Sequence, residues 1–137
     1  MFIPLVVSLT SKTVDMYQTD PHRLCHLASE SYIAMGVPTD TATHLADTLV
    51  QADLWGHSSH GVMRTFWYGA RIASGATRLD AKPRIITDTG PLLAVDGGNG
   101  IGQWITQYAV NLAIERARRF GIAAVSIRNS GHFGTAM

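Results

Sequence analysis

The sequence predicts an α/β fold in which helices come first and strands then gather around one long helix. Apolar residues recur at helical spacing as far as about residue 74, whereas from Pro83 onward they come in short β-branched or aliphatic runs. A strand, a glycine-rich turn and a long helix then follow one another between Leu92 and Arg119. The 137 residues, 46% of them hydrophobic, make room for one domain with a real core, and no repeat or linker divides them.

The first helix starts at Asp20-Pro21, with Asp as N-cap and Pro at the first helical position. Leu24, Leu27, Ala28, Ser31, Ala34 and Met35 fall on one face, and Gly36 supplies the stop. A second helix follows Pro38-Thr39, with Ala42, Leu45, Ala46, Leu49, Val50 and Leu54 as its stripe and Gly56 as its end. The short connection predicts antiparallel packing of the two. A third helix is expected from near Ser59 to about Ser74, with Phe66, Trp67, Ala70, Ile72 and Ala73 as core positions. Pro83–Asp88 and Leu92–Asp96 read as strands joined by a tight turn at Thr89-Gly90-Pro91. The long helix buries Ile101, Ile105, Ala109, Leu112, Ala113, Ala117 and Phe120, and Arg116, Arg118 and Arg119 suit the negative end of its dipole. Gly121 stops it, and residues 122–127 read as a buried strand.

A formal net charge of +1, with acids and bases interspersed, gives no basic stripe for a nucleic acid or an anionic membrane. The one cysteine, Cys25, has no disulfide partner in the chain and reads as a buried, inert thiol in a reducing cytoplasm. His22 and His26 lie one turn apart without an acidic partner and read as a solvated helix face. The apolar start, Met1 to Leu9, is too short to span a membrane and lacks the basic region of a signal peptide. Residues 1–15 read as an undetermined arm, with Met16 as an alternative start, and residues 16–137 as the domain. At the other end the chain stops inside a glycine-punctuated loop, Asn129 to Met137, so a longer protein is expected.

Two stretches invite a functional reading. The glycines from Gly97 to Gly102 resemble a dinucleotide fingerprint in their setting but not in their spacing. Gln103 stands where the third glycine of G-x-G-x-x-G belongs, and no acidic residue closes a second strand about 20 positions on. A tight turn that lets backbones approach closely is the better account, with anion binding at the helix N-terminus as the other.

Gly56-His57-Ser58-Ser59-His60-Gly61-Val62-Met63-Arg64 crowds two histidines, two hydroxyls and an arginine together. Buried without partners such groups would cost free energy, so packing alone is a poor reason for them. One reading is a metal site in which His57, His60 and His132 are ligands, the basis of a non-enzymatic binding module. A second is pure structure, with Ser59 capping the third helix. A third is acid–base catalysis on a small carboxylate: in a helix beginning near Ser59, His60 and Arg64 project from one face. The arginine fork then grips the carboxylate while the histidine reaches the adjacent oxygen.

Ala52-Asp53-Leu54-x-Gly56-His57-x-Ser59-His60-Gly61-x-x-Arg64, then Asp96-Gly97-x-Asn99-Gly100-x-Gly102, then Asn129-Ser130-x-His132-Phe133-Gly134 resemble the N-terminal part of the type-2 malate/L-lactate dehydrogenase family. The resemblance runs in order from about Leu24 to the last residue. It implies an NAD- or NADP-dependent oxidoreductase of small 2-hydroxy and 2-oxo acids, usually a homodimer, on a fold unrelated to the Rossmann type. By motif position His60 would be the proton donor and acceptor. Arg64 would bind the substrate carboxylate, Ser59 would be a hydrogen-bonding neighbour, and His132 a second catalytic or orienting histidine. Family members are longer, and most of their cofactor-binding region follows the point where this chain stops. The resemblance therefore implies a truncated fold, inactive by itself and prone to aggregate through its exposed apolar faces.

Overall fold

A computed structural model of the chain describes residues 18–135, so the arm expected over 1–15 lies outside the described residues. Helix α1 spans Pro21–Ala34 and α2 Thr39–Leu54. Two single 3-10 turns, Ser58–His60 and Val62–Arg64, lead into α3, Thr65–Ala73. Strands β1 (Arg84–Asp88) and β2 (Leu92–Gly100), helix α4 (Gly102–Phe120) and strand β3 (Ala124–Ser130) complete the order. No helix among these is long and apolar enough to cross a membrane.

The expected caps are present. Asp20 accepts from the backbone N–H groups of His22 and Arg23, Pro21 opens α1, and Gly36 leaves it at φ 89°. The two helices pack antiparallel: Cys25 Sγ lies 3.0 Å from Asp47 Oδ1 and Ser29 Oγ 3.3 Å from Thr43 Oγ1, so rising numbers on one meet falling numbers on the other. Burial, followed by the bond to Asp47, pushes the Cys25 thiol up to about 11, which keeps it protonated and inert although it is only half-buried.

The buried face of α1 is not the one the spacing suggested. Ala28, Ser29 and Tyr32 face inward, while Leu27 is 64% exposed. Tyr32 is fully buried with Val37, Ala42, Leu45, Leu49, Tyr68 and Ile101, so one aromatic ring recruits the helix more strongly than scattered aliphatics. Likewise α3 buries Tyr68, whereas Phe66, Trp67, Ala70 and Ala73, expected as core, are exposed and Ile72 only half-buried. A helix of nine residues against a small core hides one stripe, and Tyr68 takes it.

The sheet has the order β1-β2-β3, with β1 antiparallel to β2 and β2 parallel to β3. Helix α4 is thus the crossover of a β-α-β unit. Gly90, at φ 93°, turns β1 into β2 as expected. Strand β2 is longer than the expected Leu92–Asp96: it continues through the glycines and pairs Gly100 with Ser130. Strand β3 is not buried; its residues alternate between half-buried and exposed, because it forms one edge of the described sheet and has α4 against it. Ile101, at the N-terminus of α4, belongs to the helical core, so one core joins both halves.

Asp96 ties the sheet to the end of β3. Its carboxylate accepts from Gly98 N–H at 2.9 Å, Arg128 Nε at 3.1 Å and Asn129 Nδ2 at 3.2 Å. These bonds, the Gly98 one foremost, hold its carboxyl below the usual 3.8. A depressed carboxylate contributes stability that is complete above 3.8 and lost as pH falls through its lower folded value. Asp96→Asn is therefore expected to lower the denaturation midpoint at neutral pH. In denaturant titrations across the acid range the gap to wild type should close below pH 3.8.

Candidate active site

The stretch from Gly56 to Arg64 is not the first turn of a helix. Gly61, extended at φ −86° and ψ −159°, separates two 3-10 turns closed by His60 N–H to His57 O at 2.9 Å and Arg64 N–H to Gly61 O at 2.9 Å. His60 and Arg64 therefore do not share a helical face, and Ser59 caps no helix. The N-cap position of α3 is Arg64 itself, without a side-chain bond.

What shapes the two turns is Asp53, at the end of α2. Its Oδ2 accepts from Val62 N–H at 2.8 Å. A Cβ at position 61 would fall on this carboxylate, so glycine is required there for closeness rather than for backbone freedom. Gly61→Ala is expected to cost about 1–3 kcal/mol in urea unfolding, the usual range for overpacking a close contact. It would also shift the turn that carries His60.

Within this frame the side chains converge. Arg64 Nε donates to Ser59 O at 2.6 Å, which leaves the two terminal nitrogens of the guanidinium uncommitted among the described residues. Ser59 Oγ is 3.0 Å from His60 Nδ1. The His60 ring centroid lies 4.1 Å from that of His57 and 5.1 Å from that of His132. His57 Nδ1 meets Thr135 Oγ1 at 2.7 Å, which ties the loop after α2 to the segment after β3. Trp67, expected as core, instead stands beside the site: its ring is 6.1 Å from His132 and lies beneath the guanidiniums of Arg64 and Arg71 at 5.6 and 5.1 Å.

His132 reaches this place because α4 starts with glycine. A Cβ on Gly102 would collide with the carbonyl of His132, and one on Gly97 with that of Asn129. Gly131 N–H donates to Gly100 O at 3.0 Å. The glycine run is thus consumed in seating the His132 loop on the helix start, in agreement with the close-approach reading. The same packing turns Gly97, Gly100 and Gly102 toward protein contacts, and the third glycine of the dinucleotide fingerprint is absent, so nothing at this turn points to a dinucleotide.

Burial, then the unfavourable coupling of a second charge with His57, His132 and Arg64, lowers His60 below the usual 6.5. Burial and Arg64 do the same to His132. Both imidazoles are favoured in the neutral form at pH 7. Two buried side chains that the sequence reading did not assign to the site complete the surroundings: Tyr68 Oη lies 3.1 Å from His132 Nδ1, and Gln103 Nε2 donates to Tyr68 Oη at 2.9 Å. The available signal was weak, a tyrosine and a glutamine at inward positions of two helices. Among the described residues no group of three or more His, Cys, Asp or Glu side chains is disposed to hold a metal ion, and His57 is engaged elsewhere.

A profile of the family described as Malate/L-lactate dehydrogenase matches residues 19–137. A malate dehydrogenase of Pyrococcus abyssi is 42% identical over 102 residues, covering 74% of this chain and 28% of that protein. An L-sulfolactate dehydrogenase of Methanothermobacter thermautotrophicus is 34% identical over 116 residues, covering 85% of this chain and 34% of that one. The solved malate dehydrogenase of Pyrococcus horikoshii OT3 superposes with a TM-score of 0.84 at 37% identity, over 86% of this chain and 34% of that chain. The chain thus spans about a third of the length of these relatives. With three ordered motifs, a matching fold and a profile match over nearly all its residues, the chain belongs to the malate/L-lactate dehydrogenase family.

Proposed function

We propose that the chain carries the acid–base part of an NAD- or NADP-dependent oxidoreductase that interconverts a small 2-hydroxy acid, such as malate or lactate, and its 2-oxo acid. The observation that carries this is the convergence of two neutral histidines, 5.1 Å apart by ring centroid, with an arginine whose outer edge is uncommitted. The free guanidinium fork of Arg64 suits a carboxylate held bidentately. His60 exchanges a proton with the oxygen on the next carbon. As the 2-oxo carbonyl is reduced its oxygen gains negative charge and takes a proton from His60; in the reverse direction His60 receives it. Ser59 acts twice, holding Arg64 through its carbonyl and contacting His60 Nδ1 through its hydroxyl. His132 orients the same oxygen. The names of the relatives, which include malate, sulfolactate and lactate dehydrogenases, support the substrate class.

The glycine turn is engaged in seating the His132 loop, so the reading assigns most of the cofactor-binding groups to residues other than those described and holds the 137-residue chain inactive alone. The reading carries with it a cytoplasmic homodimer. Phe66, 89% exposed, with Met63, Leu54 and Ile122, supplies apolar surface for further packing. The test is oxidation of NADH and NADPH with a panel of 2-oxo acids, by this chain alone and by the chain extended through the reading frame that follows it. Turnover only in the extended protein is expected. A folded extended protein that consumes none of them, or stoichiometric zinc lost in His60→Ala, would overturn the reading.

A further inference from the structure

The direction of the hydrogen bonds around His132 can be read from one backbone group. Gly134 N–H donates to His132 Nδ1 at 3.0 Å, and a backbone N–H cannot reverse. Nδ1 is therefore an acceptor, and in the neutral ring the proton sits on Nε2. Tyr68 Oη, 3.1 Å from the same Nδ1, must then be the donor, which leaves its oxygen to accept from elsewhere. Gln103 meets that demand with Nε2 at 2.9 Å. The orientation comes at a cost, because Gln103 Oε1 is left buried with no partner among the described residues. The flipped amide would satisfy the oxygen but would turn the Tyr68 hydroxyl away from Nδ1. Both residues are buried, Gln103 3% and Tyr68 8% exposed, so water competes poorly for these bonds.

We propose that Gln103, acting through Tyr68, is a positioning residue that holds His132 as the neutral Nε2–H tautomer, a fixed hydrogen-bond donor toward the substrate oxygen, and so leaves proton transfer to His60. The donor role rests on the dehydrogenase reading; the tautomer does not. Protonating His132 would put a hydrogen on Nδ1 against two donors already aimed at it. The charged and titratable groups around the ring point the same way. His60 stands 5.1 Å off, the Arg64 guanidinium disfavours a second positive charge, Arg71 borders the same small cavity, and burial pushes the Tyr68 hydroxyl up and keeps it protonated. A histidine held neutral to polarise a carbonyl is an established catalytic device, distinct from general acid catalysis.

Long-range proton–nitrogen NMR spectra of the chain labelled in its histidine rings report tautomer and titration directly, without substrate or cofactor. In wild type His132 should be the Nε2–H form at neutral pH, with a midpoint below 6.5. Gln103→Leu, which also removes the orphaned oxygen and so should fold at least as stably, frees the Tyr68 hydroxyl. The His132 midpoint should then rise by about one pH unit, as expected for losing a bond that favours the neutral ring. Tyr68→Phe should shift it in the same direction. An Nδ1–H tautomer in wild type, or unchanged His132 resonances and midpoint in both folded variants, would sink the proposal. Absence of turnover in the extended protein would instead sink the dehydrogenase reading and leave the tautomer result standing.

Discussion

Under the proposed function, replacing His60 with Gln should reduce turnover of the extended protein by about 10²–10⁴-fold, the usual worth of a positioned general acid or base. Glutamine keeps the size and a hydrogen-bonding group but cannot exchange a proton with the substrate oxygen. Cofactor affinity should stay close to wild type, since the role proposed for His60 is proton exchange with the substrate oxygen rather than cofactor binding. The pH dependence follows from the lowered pKa of His60. Burial and the neighbouring His57, His132 and Arg64 favour the neutral ring, so hydroxy-acid oxidation, which needs a proton acceptor, should be flat above pH 6.5 and fall only below it. Reduction needs the protonated ring and should decline as pH rises past the same lowered value. Steady-state rates in both directions across pH, for wild type and variant, check this. A variant that turns over at the wild-type rate would remove His60 from the mechanism.

Arg64→Ala should act chiefly on binding. Loss of a charge-assisted bidentate pair costs about 1.5–3 kcal/mol, which corresponds to a rise in KM of about 10- to 100-fold for a carboxylate substrate. Arg64→Lys should rescue little. The arginine is aimed by its Nε bond to Ser59 O, and lysine has no second nitrogen with which to keep that anchor while reaching a ligand. A substrate analogue with its carboxylate converted to an amide separates binding from folding. Wild type should discriminate strongly against the amide, and Arg64→Ala should lose most of that discrimination. Equal KM increases for acid and amide would mean that Arg64 shapes the turn rather than the substrate.

The boundaries of α1, α2 and α4, the β1-β2 turn and the α/β order were legible in the sequence because local chemistry decides them. Asp20-Pro21 caps α1 wherever that helix is packed, and Gly36, Gly90 and Gly121 turn the chain with positive φ in any context. Motif order was also enough to name His60, Arg64 and His132 as one constellation, although they are up to 72 positions apart (132 − 60). The local reading failed where a distant group intervenes. A helix beginning at Ser59 is reasonable by propensity, but the Asp53 carboxylate occupies the space against Gly61 and splits the segment into two 3-10 turns. The site is then assembled by a different geometry from the helical face that first suggested it.

What the sequence determined by itself was the kind of residues available: two histidines, an arginine, and glycines that allow backbones to approach closely. What only the tertiary structure decided was which groups each of them faces. Trp67 left the core for the site because Tyr68 filled the single buried stripe of α3. The glycine run, set between strand and helix like a dinucleotide fingerprint, became the close contact that seats His132 on α4. Gln103 and Tyr68 meet only when α3 and α4 pack together, 35 positions apart in the chain. Caps and turns depend on bonds between near neighbours, so they can be read from a few letters. The state of a histidine depends on donors, charge and burial supplied by remote segments, and these exist only once the chain has folded.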